Sequence, residues 1–185
     1  MDGRLSFNIP RERIGVLIGR GGEVKEHIER SLRVSLKVDS VLGVVEVEGL
    51  DSNPMNVWRA RDVILAIGRG FPPEKAFKLI SSDEHLLEVI DLRSILGRSE
   101  NAIKRVKGRI IGREGKTRRI IEEVAGVDVS VYGHTVSIIG LYENVVIARD
   151  AIKMLIEGKT HATVYRFLSE RRRELKKLSK TKLWE

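Results

Sequence analysis

The sequence predicts an α+β protein built from two copies of one small unit, each a three-stranded antiparallel sheet with helices on one face, followed by a C-terminal helix. Three observations carry this reading. The 185-residue chain repeats itself: Gly15-Val16-Leu17-Ile18-Gly19-Arg20-Gly21-Gly22 aligns with Gly108-Arg109-Ile110-Ile111-Gly112-Arg113-Glu114-Gly115 at an offset of 93. The offset holds downstream, pairing Ile28 with Ile121, Glu29 with Glu122, Val34 with Val127 and Val38 with Val131. It falls to 88 at Ala60-Arg61-Asp62 and Ala148-Arg149-Asp150, so two loops have shortened while the elements keep their order. Third, apolar spacing alternates between strand and helix periods in the same sequence in both copies, as strand, helix, Gly-loop, helix, strand, strand, helix.

In the first copy Leu5 to Ile9 reads as a strand stopped by Pro10, and Arg11 to Ile18 as a short helix. Glu23 to Ser31 is a second helix, with Val24 and Ile28 four apart on one face. Arg33 to Asp39 and Val44 to Glu48 alternate, are rich in β-branched residues, and are joined by a turn over Ser40 to Gly43. Asn53 caps a third helix with Pro54 at its first position, striped by Val57, Ala60, Ile64 and Ile67 and ended by Gly68 and Gly70. The second copy gives strands at His85 to Asp91, Asp128 to Val131 and Thr135 to Ile139, with Asn144 expected to cap the helix striped by Val145, Ala148, Ile152 and Leu155. Arg93 to Lys104 is additional to this copy and reads as a helical turn plus a lengthened first helix. The expected divisions are a first domain over 1–70, a linker helix over 71–81, a second domain over 82–158, and a basic amphipathic helix over 159–185.

Composition narrows the function. There is no Cys, which excludes disulfides, thiolate metal sites and cysteine nucleophiles. No apolar run approaches the length of a membrane span, and the first residues lack a cationic stretch followed by an apolar block, so a cytoplasmic protein without membrane contact is expected. The chain has no Gln, only 3 Met and abundant charge, a lean found in proteins from hot environments. The net charge of +8 is unevenly placed. Arg93 to Arg119 holds 10 basic and 2 acidic residues, and Gly158 to Glu185 holds 9 and 3, leaving the remainder slightly acidic. A polyanionic partner held mainly by the second copy and the tail is the expectation.

A Gly-x-x-Gly joining two short helices has a physical use. Glycine accepts positive φ and has no Cβ, so backbone can approach a phosphodiester closely while the following helix offers free N–H groups at its positive end. The candidate nucleic-acid-binding residues are therefore Gly15, Leu17, Ile18, Gly19, Arg20, Gly21, Gly22 and Lys25 in the first copy. In the second they are Gly108, Arg109, Ile110, Ile111, Gly112, Arg113, Glu114, Gly115, Lys116, Arg118 and Arg119. Leu17, Ile18 and Leu36, and Ile110, Ile111 and Val129, are expected to wall an apolar groove for bases. Replacing Gly112 and Gly115 together by Asp is expected to abolish most nucleic-acid affinity and leave the fold intact.

At these residues the sequence resembles the KH family of type I topology, whose Gly-x-x-Gly loop clamps about four nucleotides of single-stranded RNA or DNA. The tandem arrangement, the enlarged first helix of the second copy and the basic tail resemble the archaeal partner-of-NOB-one (DIM-two) ribosome assembly factors. That resemblance implies a non-catalytic adaptor on the 3′ end region of small-subunit ribosomal RNA, with an assembly endonuclease or translation factor as protein partner and no cofactor. The alternative is a protein-docking scaffold with little RNA contact of its own. Two positions depart from the family pattern: where an apolar residue is usual three positions after the last loop glycine, this chain has Lys25 and Arg118.

Other chemistry finds little footing. Gly115-Lys116-Thr117 lacks the upstream glycine and strand of a nucleotide-binding P-loop. His27, His85, His134 and His161 are too dispersed for a metal centre, although His27 lies where it could stack on a base. Trp58 and Phe77 are expected in interhelix packing.

Overall fold

The computed structural model describes residues 4–181 and divides into two compact units between Leu87 and Glu88. In the first unit the order is β1 (Arg4–Asn8), α1 (Arg11–Ile18), a 3-10 turn at Arg20–Gly22, α2 (Glu23–Leu32), β2 (Val34–Asp39), β3 (Val44–Gly49) and α3 (Pro54–Gly68). Two short helices, α4 (Pro73–Ala76) and α5 (Lys78–Ser81), close it. The boundary falls within β4 (His85–Asp91), and the second unit continues with α6 (Leu92–Leu96), α7 (Glu100–Ile111), a 3-10 turn at Arg113–Gly115, α8 (Lys116–Ala125), β5 (Asp128–Tyr132), β6 (Thr135–Leu141), α9 (Tyr142–Ile156) and α10 (His161–Thr181). The end of the expected tail, residues 182–185, lies outside the described residues. No helix among the described residues is long and apolar enough to cross a membrane.

Each sheet has three strands, ordered β1–β3–β2 and β4–β6–β5, which leaves β2 and β5 at an edge. Register follows from alternation. Val34 and Leu36 of β2 are buried while Lys37 is exposed, and Leu36 sits opposite Val47, so one face of the first sheet meets the helices. Val129 sits opposite Ile138 in the equivalent place of the second sheet. Leu17, Ile28, Ile64 and Ile67 fill the first core, and Ile110, Ile121, Ile138, Ile152 and Leu155 the second, all without exposed surface.

Asn53 caps α3 as the sequence predicts, accepting from Met55 N–H at 3.1 Å with Pro54 in the first turn. Its expected counterpart does otherwise. α9 begins at Tyr142 with no side-chain cap, and Asn144, already inside the helix, donates to the carbonyl of Gly126 at 3.3 Å just beyond α8. The expected linker helix breaks at Phe77 into two turns, and Phe71, Ala76 and Leu79 are buried in the first unit. Trp58, expected in packing, is half exposed beneath the guanidinium of Arg61.

An arginine from the first helix fastens the end of the third in both units. Arg13 donates through Nε to the Ile67 carbonyl at 2.8 Å and through Nη2 to that of Phe71 at 2.7 Å. Arg109 donates through Nε to Leu155 at 3.2 Å and through Nη2 to the Lys159 carbonyl. The acceptors correspond at the offset of 88, yet the two arginines sit one helical turn apart relative to the loop glycines. Helix-end carbonyls need partners, and a guanidinium fork reaches two at once.

Candidate nucleic-acid interface

Both Gly-x-x-Gly loops have the conformation their glycines were expected to serve. Gly19 and Gly112 have φ 76° and 73° with ψ 176°, a region that side chains essentially never enter. Gly22 and Gly115 are left-handed, with φ 88° and 75°. Glu114 also adopts a left-handed φ of 51°, unusual for a residue with a side chain. The two pairs of glycines differ in what a side chain would meet. A Cβ on Gly112 would lie 2.3 Å from Thr117 Oγ1, and one on Gly19 would lie 2.6 Å from Val24 Cγ2, whereas Gly22 and Gly115 face open space. The expectation that Gly112→Asp spares the fold is therefore corrected: Gly112 is fixed by backbone geometry and by Thr117 beneath it.

Helices α2 and α8 start on these loops without a side-chain cap, so their first N–H groups point at the space above the glycines. The two starts are not electrically equal. α2 carries Glu23 and Glu26 in its first turn, which oppose an incoming phosphate. α8 has no acidic residue there and begins Lys116-Thr117-Arg118-Arg119. Arg20, Arg113 and Lys116 are exposed around the loops and free to reach a phosphate. Residues 1–87 hold 13 basic and 13 acidic side chains, so the whole charge of +8 resides in the second unit.

Several expected contacts are placed elsewhere. Leu17 and Ile110 are fully buried, and Leu36 and Val129 nearly so, so these four are core and present no side chain to a ligand; Ile18 and Ile111, half-buried, remain as groove wall. Arg109 turns inward to the helix ends described above. Arg119 donates through Nη2 to the Glu114 carbonyl at 3.1 Å and so braces the second loop. His27 packs against Phe77 with the rings tilted at 45° and their centroids 4.4 Å apart, and Tyr165, the residue equivalent to Phe77, bonds through its hydroxyl to Thr117 Oγ1 at 2.9 Å. The terminal helical segment of each unit thus supports the helix that follows the loop.

Gly15 and Gly108 lie in the middle of α1 and α7, exposed, and a Cβ on either would meet nothing within 4 Å. Nothing inside the chain requires glycine there, although a helical glycine costs about 0.5–1 kcal/mol relative to alanine. Gly108→Ala is expected to stabilise the second unit by that amount, about 0.5–1 kcal/mol, while weakening RNA binding about tenfold by placing a methyl where the backbone of the ligand passes. Thermal denaturation and fluorescence anisotropy on the same variant check both halves.

Reading the sequence for loop chemistry passed over Glu29 and Glu122. Glu29 Oε1 accepts the Leu36 N–H at 2.8 Å, and Glu122 Oε1 accepts the Val129 N–H at 2.9 Å, so each ties the second helix to the free edge of the sheet. Lys25 Nζ lies 3.8 Å from Glu29 and Arg118 Nε 3.7 Å from Glu122. The signal was present as an identical acid at the offset of 93.

Residues 4–66 match the KH domain model, and residues 86–173 match that of the eukaryotic type KH domain, type I, found as the second KH domain of PNO1. A KH domain-containing protein of Methanocaldococcus jannaschii is 50% identical over 97% of this chain and 78% of its own length. A pre-rRNA-processing protein PNO1 of Phaeosphaeria nodorum is 27% identical over 76% of this chain, which spans about half of it, 53%. The crystal structure of Dim2p from Pyrococcus horikoshii superposes with a TM-score of 0.84 at 46% identity, covering 90% of this chain and 98% of that one. In a second crystal structure, a complex of a/eIF2alpha, aDim2p and rRNA from the same organism, the matching chain gives 0.86 at 45% identity over 92% of this chain and 94% of its own. With two type I KH units in tandem and relatives of this closeness along nearly its full length, the chain belongs to the PNO1/Dim2 family of tandem KH-domain proteins.

Proposed function

We propose that this protein is a non-catalytic adaptor that binds single-stranded RNA in ribosome assembly, with the 3′ end region of small-subunit ribosomal RNA as its target. The observation that carries this reading is the second loop: glycines at φ 73° and 75°, an uncapped α8 start with no acid in its first turn, and exposed Arg113 and Lys116 around it. The rRNA in the Pyrococcus complex supports the choice of ligand. Its initiation factor supports a translation factor as protein partner, and an rRNA-maturing endonuclease is the second candidate. The protein acts in the cytoplasm without membrane contact. Phosphate contacts set the affinity, since each neutralised phosphate releases counterions. A labelled fragment of the 3′ end of small-subunit rRNA is expected to bind more tightly than a scrambled sequence of the same composition, with log affinity falling linearly in log salt by filter binding. Equal binding of both fragments would remove the 3′ end from this reading.

The first unit favours a second role. Its neutral charge and the two acids beside its loop suit contact with a protein better than with a polyanion. If so, removing RNA by nuclease leaves a partner bound to the full chain in pull-down, and Arg20→Asp with Gly21→Asp barely changes RNA affinity.

A further inference from the structure

We propose that the segment inserted into the second unit, Arg93 to Lys104 with the adjoining Arg105, is a further RNA-binding element that holds the phosphates of about three nucleotides beyond the four or so clamped at the Gly-x-x-Gly loop, an inference that rests on the RNA-binding reading above. The insertion carries a third copy of the turn on which both loops are built. Leu96-Gly97-Arg98 repeats Ile18-Gly19-Arg20 and Ile111-Gly112-Arg113. Gly97 has φ 70° and ψ −164°, beside 73° and 176° for Gly112. Its N–H closes α6 on the Arg93 carbonyl at 3.0 Å, as that of Gly112 closes α7 on the Gly108 carbonyl at 2.9 Å. The third turn differs in one respect. Ser99 caps α7 by accepting the Ala102 N–H at 3.3 Å, so this turn presents the guanidinium of Arg98 and no bare helix start.

From this turn α7 leads to the second loop. Asn101, Arg105 and Gly108 follow at intervals of four and three residues on the face opposite the buried Ile103, Val106 and Ile110, and Gly112 continues the line. Exposed Lys104 flanks Arg105. The helix has 12 residues and is therefore about 18 Å long, the span of about three extended nucleotides. A strand that leaves the loop past the bare backbone of Gly108 meets Arg105 and Lys104 and then Arg98. These cations are available. Arg93 pairs with Glu100 at 3.3 Å, Lys107 donates to the Gly133 carbonyl at 2.7 Å, and Arg109 is taken up by the carbonyls beyond it. Arg98, Lys104 and Arg105 are exposed and make no hydrogen bond or ion pair among the described residues. Glu100 is the only acid between Arg93 and Ile111 and is already engaged, so three cations stand along one helix with no carboxylate to balance them. A face kept only for solubility would intersperse both signs. The first unit passes from β1 to α1 through Ile9 and Pro10 alone, so the track belongs to the second unit.

The test uses the full chain and two fluorescein-labelled oligomers of uridine, a tetramer that fills the groove alone and a heptamer that also covers α7. Arg98→Gln, Lys104→Gln and Arg105→Gln together remove the three charges from exposed positions with a good helix former, so Tm stays near that of the native chain. The triple variant is expected to bind the heptamer about tenfold more weakly, with a slope of log affinity against log salt shallower by about two, and to bind the tetramer as the native chain does. Arg98→Lys with Arg105→Lys restores the point charges and is expected to keep the heptamer affinity; a loss in this variant equal to that of the triple one overturns the phosphate role. An equal loss for tetramer and heptamer overturns the proposal, since a diffuse field acting at the groove gives that result. Unchanged heptamer affinity in the triple variant overturns it too and leaves the face to an acidic protein. In each of these cases the RNA reading stands, whereas failure of the native chain to bind either oligomer or the rRNA fragment overturns that reading itself.

Discussion

Arg113→Asp combined with Glu114→Asp is expected to lower affinity for single-stranded RNA about 100-fold or more while leaving the thermal stability of the protein within a degree or two, as measured by fluorescence anisotropy and by circular dichroism. Both side chains are exposed on the second loop. The change removes one cation and leaves two carboxylates above the start of α8, where the uncapped N–H groups await an anion. An aspartate there satisfies those groups internally and repels the phosphate. Position 114 already holds a non-glycine residue at φ 51°, and aspartate is among the side chains that tolerate this conformation best, so the backbone keeps its path. Retained affinity would remove the second loop from the interface. The matched pair Arg20→Asp and Gly21→Asp has open space around Gly21, but a side chain at φ 59° there adds about 1 kcal/mol of backbone strain that position 114 already carries. Comparing the two pairs assigns the RNA to one unit or both.

Gly112→Asp, by contrast, is expected to damage the fold. Its Cβ would lie 2.3 Å from Thr117 Oγ1 and 2.8 Å from the Thr117 backbone nitrogen, at a φ of 73°. Relief requires moving the first turn of α8, and with it the Thr117 hydroxyl that bonds Tyr165 on α10. A loss of about 3 kcal/mol is expected from the backbone strain and the displaced packing together. Urea denaturation measures it directly. Loss of RNA binding in this variant therefore reports unfolding as much as a lost phosphate site, and Gly115→Asp, which meets nothing within 4 Å and carries only the strain of a side chain at φ 75°, is the milder comparison. A Gly112→Asp protein as stable as the native chain would show that the loop relaxes without disturbing Thr117.

Much of the architecture was legible because duplication gave every element two readings. The helix Arg11–Ile18 and the strand His85–Asp91 fall where the spacing of apolar residues puts them, and the inserted Arg93 to Lys104 folds as a helical turn and a lengthened helix. Asn144 was misread since a cap is recognised by its place before a helix, and the helix starts two residues earlier, at Tyr142. The asparagine instead reaches across to the end of another helix, a contact that no local pattern encodes.

The candidate site divides along the same line. The loop glycines, the embedded arginines and the charge imbalance between the two halves are properties of the chain itself, for backbone torsion and net charge need no partner to be recognised. Which side chains face the ligand was decided only by packing. Leu17 and Ile110 look like their neighbours Ile18 and Ile111 in sequence, but one helical step turns the first pair into the core and leaves the second at the surface. Arg109 looks like a phosphate ligand until the last turn of α9 and the segment after it place the Leu155 and Lys159 carbonyls within its reach. Glu29 and Glu122 look like ordinary helix-surface acids until the edge of the sheet arrives beside them, seven residues away in sequence and 2.8 to 2.9 Å in space. The sequence by itself determined the repeat, the topology and the place of the loops, because periodicity and glycine geometry are local. The tertiary structure decided what each polar group is for, because a hydrogen bond across elements depends on where the other element lies.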